Sequence, residues 1–107
     1  MVPYIRNWRP QWHAFDQVTD QDKERLVKDF WKFARSASDG DRFTSPIPFR
    51  IAGRVYDSEE YEAGDIILTS TVRGIKCNVV RGDFVYFEVV TKNNHYVIYL
   101  NDAQEHI

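Results

Sequence analysis

The sequence predicts an α+β domain: an N-terminal aromatic arm and one long helix packed on a strongly twisted antiparallel meander sheet of three to five strands. Three observations carry this expectation. Only residues 19–37 place apolar side chains at helical spacing. From residue 49 onward the chain is rich in β-branched and aromatic residues, with alternation at period two. The connections within that half are short and carry Gly or Asn, which suits antiparallel neighbours. With 107 residues, 43% hydrophobic and 15% aromatic, the chain reads as a single domain, 1–107, able to bury a core.

Residues 1–18 form the arm, with Tyr4, Ile5, Trp8, Trp12 and Phe15 broken by Pro3 and Pro10. They show no clean period. Trp8 and Trp12 are too large to stand in water without a reason. Either the arm lies across the domain and covers part of its core, or it binds a partner or swaps between copies.

In the helix, 19–37, Thr19 suits an N-cap, and Asp22 three residues on makes a capping-box variant. Asp20, Asp22 and Glu24 stand near the first turn, where the helix dipole favours negative charge. Leu26, Val27, Phe30, Trp31 and Ala34 share one face, widened by Phe33. Arg25, Lys28, Lys32 and Arg35 form a basic stripe opposite. Ser36, Ser38, Asp39 and Gly40 end the helix, and 38–48 reads as a loop.

The sheet is expected over 49–100. In 49–56, Phe49, Ile51, Gly53 and Val55 alternate with Arg50, Ala52, Arg54 and Tyr56. An acidic loop follows, with Asp57, Glu59, Glu60, Glu62 and Asp65. Over 66–80, Ile66, Leu68 and Val72 share one parity, and Ile75, Cys77 and Val79 the other. A β-bulge at Gly74 would keep both sets inward, since one extra residue flips the alternation. Arg81-Gly82-Asp83 makes a hairpin turn. Residues 84–91 are apolar at both parities, which predicts a central strand covered on both faces. Asn93-Asn94 turns the chain into a returning strand from His95 to Leu100, and the polar tail Asn101–Ile107 is expected to fray. The bulge favours a curled, barrel-like sheet as the alternative architecture.

The run Gly53-Arg54-Val55, then Tyr61, Gly64, Ile67, Thr69, Ser70 and Val72, then Thr91 through Tyr96 and Ile98, resembles a pattern in small uncharacterised bacterial and phage-type proteins. It covers residues 50–100, about half the chain. The resemblance implies a compact sheet with a Thr-Ser pair on an inner strand, and no reaction. It leaves out the helix and the arm.

No catalytic constellation stands out. Cys77 lies on the apolar parity and reads as a buried structural thiol. His13, His95 and His106 do not combine into a triad, and Ser70 lacks the glycines of a nucleophile elbow. Glu88 reads as an outward acid paired across the sheet, which leaves a site built from Glu88, His95 and Ser70 as the weakest reading. The acidic loop lacks the ligand order of a calcium loop, and no His or Cys pair has metal-ligand spacing. No catalytic residue, metal or cofactor is therefore expected. The single Cys excludes an internal disulfide framework. No signal-peptide pattern and no apolar run of about 18 residues occur, so a cytoplasmic chain without a membrane partner is expected.

The net charge of −2 disfavours a generally basic nucleic-acid binder but leaves room for a local patch. Two such patches are visible. Arg25, Lys28, Lys32 and Arg35 are candidate phosphate contacts. Arg50, Arg54 and Tyr56, joined by Arg73 and Lys76, form a basic-aromatic strip on the outward parity of the strands. With Trp8 and Trp12, that strip supplies the candidate partner-binding residues. The chain is rich in the Tyr, Trp and Arg that dominate interface hot spots. The expectation is a small non-enzymatic binding domain acting through protein–protein contacts, a homodimer included. The phage-type resemblance suggests an inhibitor or adaptor. The alternative is a nucleic-acid or nucleotide binder using the basic-aromatic strip.

Overall fold

A computed structural model describes residues 2–104. In chain order the elements are β1 (Tyr4–Gln11), α1 (Asp20–Ser36), β2 (Arg42–Phe43), β3 (Arg50–Tyr56), β4 (Ile66–Leu68), β5 (Val72–Val80), β6 (Phe84–Thr91) and β7 (His95–Ile98). A 3-10 turn, Leu100–Asp102, follows. The class is α+β, with one helix and a seven-stranded sheet in the order β2-β5-β6-β7-β1-β3-β4. The sheet is larger than the predicted three to five strands. It is also not a pure antiparallel meander, because β1 pairs with β7 in parallel. Both differences arise in segments that lack a readable period. The aromatic arm is a strand inserted between β3 and β7, and the 38–48 loop contributes β2 against β5.

β1 hides its period behind a bulge. Arg6 pairs with Arg54 and Arg9 with Ala52, so β1 spends three residues where β3 spends two. Asn7 takes up the extra residue at φ +50°. The bulge turns both Ile5 and Trp8 inward, which strict alternation forbids. Trp8 is only 1% exposed, and its Nε1 donates to the Tyr99 carbonyl at 2.8 Å. Gly53 lies against this bulge. A Cβ there would stand 2.8 Å from the Arg6 carbonyl oxygen and would collide with Cγ2 of Ile5.

The sheet closes on itself. β4 stands at one end of the strand order and β5 next to the other, inside the two-residue β2, yet only residues 69–71 separate them. At that corner the Thr69 N–H donates to the Ile51 carbonyl and the Val72 N–H to the Phe49 carbonyl, each at 2.9 Å. Thr69 is buried, and its Oγ1 accepts the Ile51 N–H at 3.0 Å. β4 and β5 thus act as one bent strand, and the ring runs β1, β3, β4–β5, β6, β7 and back to β1. This is the barrel-like alternative. The bulge inferred at Gly74 is present as a register shift between Val72 and Gly74.

The interior holds Ile5, Trp8, Ile51, Val55, Ile75, Cys77, Phe87, Val89, Tyr96 and Ile98. α1 covers it with Leu26, Phe30 and Ala34. Phe30 meets the edges of Trp8, Phe43 and Phe87 at centroid distances of 5.6, 5.6 and 6.1 Å. The helix begins as predicted: the Asp22 N–H donates to Thr19 Oγ1 at 3.2 Å, and the Thr19 N–H donates to the Asp22 carboxylate at 3.1 Å.

Three further expectations are corrected. Ile66 and Leu68 point outward, 73% and 51% exposed, while Ile67 and Thr69 turn inward. The corner at 69–71 resets the alternation between the two halves of 66–80. β6 is covered on one face only, because the outside of a closed sheet has no second layer here, and Phe84 is 52% exposed. Within the tail expected to fray, the described residues 101–104 are held in place: Ala103 pairs with Trp8, and the Gln104 N–H donates to the Trp8 carbonyl at 2.9 Å. His106 lies outside the described residues. Among the described residues no helix is long and apolar enough to cross a membrane.

Candidate functional site: an aromatic and basic row on the outer sheet

Alternation in β1, β3 and β6 sends a second set of side chains to the outside of the ring. Tyr4 and Arg6 leave β1 outward, opposite Tyr56 and Arg54 of β3. The Arg6 guanidinium carbon lies 5.5 Å from the Tyr56 ring centre and 6.0 Å from that of Tyr4. Such geometry gives cation–π attraction. Tyr4 meets Tyr99 edge-on at 4.8 Å. Tyr99 continues to Phe84 at 5.6 Å and to Tyr86 at 6.5 Å. Tyr56, Arg6, Tyr4, Tyr99 and the Phe84–Tyr86 pair therefore form an unbroken row across β3, β1, β7 and β6.

The basic side of this row lies on β1 and β3. Arg6 and Arg54 are direct cross-strand partners, an arrangement that repels. The structure relieves this only in part. Arg6 Nε lies 3.7 Å from Asp102 Oδ1, and Arg54 Nη1 donates to the Gly64 carbonyl at 3.0 Å. Burial pushes the Asp102 carboxyl above its ordinary value. Among the described residues neither Arg9 nor Arg54 has a carboxylate in ion-pair range. Between them is a hollow of about 180 Å³, lined also by Asn7, Ile66 and Gln104.

The predicted site residues divide. Arg54 and Tyr56 belong to the row. Arg50 is half-buried opposite Gln11, and its Nε is buried without a hydrogen-bond partner. Lys76 faces Glu88 across β5–β6, and Arg73 is exposed at the bulge on β5, whose ladder partners are β2 and β6. Arg25, Lys28, Lys32 and Arg35 are exposed on α1, but Glu24 and Asp29 interleave with them and blunt their field. Trp8 is core, so no partner reaches it while the ring is folded. Trp12 is half-buried and packs on the core.

Sequence reasoning missed Tyr4, Arg6, Arg9, Phe84, Tyr86 and Tyr99. The period-two triplet Tyr4-Ile5-Arg6 carried a signal for the first two.

Of the Glu88, His95 and Ser70 set, the structure brings two into ion-pair range. His95 Nδ1 stands 3.9 Å from Glu88 Oε2, with Ser70 at the β4–β5 corner. The cavity of about 310 Å³ beside His95 is lined by the acidic loop, Asn94 and Tyr96, and by neither Glu88 nor Ser70. Burial raises the Cys77 thiol pKa, which keeps it protonated and unreactive. Compared with protein-family models, with curated proteins and with solved structures, the chain finds no match in any of the three.

Proposed function

We propose that the protein is a non-enzymatic binding domain that holds single-stranded nucleic acid across the outer face of β3, β1, β7 and β6. The observation that carries this reading is the unbroken row from Tyr56 through Arg6, Tyr4 and Tyr99 to Phe84, with Arg9 and Arg54 beside it. Bases of any sequence stack on aromatic rings, each worth about 1–3 kcal/mol, while arginines follow the phosphates; here Phe84 is exposed and the four tyrosines are half-buried. A net charge of −2 leaves room for a local basic patch, since Asp20, Asp22, Glu24 and Asp29 lie on α1; the acidic 57–65 loop, by contrast, adjoins Tyr56 and Arg54 at the β3 end of the row.

Three arginines engaging phosphates give a log K against log salt slope of about −2 for a single strand. The test is a fluorescence-anisotropy titration of labelled oligo-dT and oligo-U from low to high salt. Binding with that slope, weakened by Tyr4→Ala and by Tyr99→Ala, supports the reading. Absence of binding at low salt, or binding that both substitutions leave intact, refutes it.

A protein partner remains the second reading, favoured by Ile66 and Leu68 on the outside of β4. It predicts association that persists at high salt and is lost on Leu68→Lys.

A further inference from the structure

Resting on that reading of the outer face, we infer that the hollow between Arg9 and Arg54 is an end-recognition pocket. It takes the terminal monophosphate of a strand whose bases lie on Tyr56 and Tyr4. The backbone builds this hollow deliberately. Without the bulge at Asn7, Arg9 would point into the core, because it is three residues from outward-facing Arg6. The bulge brings Arg6 and Arg9 to the same side, and it holds Asn7 at φ +50°, a conformation that a non-glycine residue adopts at some cost.

The chemistry of the walls suits one phosphate more than a passing chain. Two arginines without a carboxylate in range line a concavity of about 180 Å³, and the Arg54 guanidinium keeps further donors free beyond the one it gives to the Gly64 carbonyl. Asn7 and Gln104 add amide groups, and Ile66, 73% exposed, offers an apolar wall to a sugar. A bridging phosphodiester carries a single charge and needs a path open at both ends. Here β4 stands on one side and the segment ending at Gln104 on another. A terminal monophosphate carries a charge of about −1.5 to −2 at pH 7, with a second pKa of about 6. It gains more from paired arginines than a diester does. Arg54 and Tyr56 are two residues apart on one face of β3, roughly 6.6 Å along the strand. A phosphate and its own nucleoside can therefore be held together.

The experiment compares three hexathymidylates by competition: 5′-phosphorylated, 3′-phosphorylated and unphosphorylated. One phosphorylated end is expected to bind at least tenfold tighter than the plain strand. The preference should shrink as the pH falls below about 6, where the phosphate loses its second charge. In Arg9→Gln and in Arg54→Gln the phosphorylated strand should bind no better than the plain one. Both arginines are exposed, and circular dichroism checks that the variants fold. Equal binding of all three strands overturns the end pocket and leaves the nucleic-acid reading intact. A preference that survives both substitutions places the phosphate elsewhere and also overturns the pocket. Failure of every strand to bind overturns the reading beneath it.

Discussion

Replacing Gly53 with alanine tests the packing of β1 on β3 with a single methyl group. The new Cβ would sit 2.8 Å from the Arg6 carbonyl oxygen and 3.2 Å from the Trp8 Cα, and would collide with Cγ2 of Ile5. Two of these neighbours are backbone, and the Ile5 side chain is fully buried, so none can swing aside. Overpacking of this kind costs about 1–3 kcal/mol. The reduced backbone freedom of the unfolded chain returns roughly 0.5–1 kcal/mol. A net loss of about 1–2 kcal/mol follows, or a fall in Tm of roughly 5–15 °C for a domain of this size. Urea denaturation followed by far-UV circular dichroism measures it, with the slope against denaturant unchanged. If Gly53→Ala is as stable as the parent chain, β1 does not approach β3 as described, and the bulge argument for Arg9 fails with it.

The remaining predictions use other parts of the molecule. Cys77 should resist a disulfide reagent in the native protein and react at once in denaturant, because it is buried and its thiol pKa is raised; fast native labelling would contradict the barrel interior. The Asp22 carboxyl is held below its ordinary value by hydrogen bonds from Thr19. Its support of α1 is therefore complete above the ordinary carboxylate pKa and is lost as the pH falls through the lowered one. Thermal melts of Asp22→Asn should lie below the parent near neutrality and converge with it in acid; a gap that does not close with falling pH would refute the capping argument.

What the sequence revealed depended on whether one period ran through a whole element. α1 was legible because its cap, its acidic first turn and its apolar face agree. β3 was legible from strict alternation, and with it the outward placement of Arg54 and Tyr56. The bulge at Gly74 was legible as well, since Ile75 and Cys77 reverse the parity of Val72. β1 was not, because its own bulge puts Ile5 and Trp8 on one side at a spacing that suits no strand. Ile66-Ile67-Leu68 is apolar at every position, so its alternation could be assigned either way, and the parity expected for Ile66 and Leu68 was the wrong one. The row itself joins residues 4, 6, 56, 84 and 99, and those neighbours follow from parallel pairing of the first strand with the last. No short connection announces such a pairing, and it was that closure which turned Tyr99 into a neighbour of Tyr4.

The same closure governs how the chain can fold. Trp8 Nε1 finds its acceptor 91 residues away, on Tyr99. Among the described strands β1 pairs only with β3, after the helix and the loop, and with β7, far along the chain at His95–Ile98. Topologies dominated by such distant contacts fold slowly, since loop-closure entropy is lost before the contacts form. β1 leaves the ribosome before both of its partner strands and is among the last of the described strands to be enclosed. Ile5 and Trp8 therefore stay accessible to chaperones until residues 96–104 emerge, and stalling late in synthesis would leave an aromatic strand uncovered and prone to aggregate.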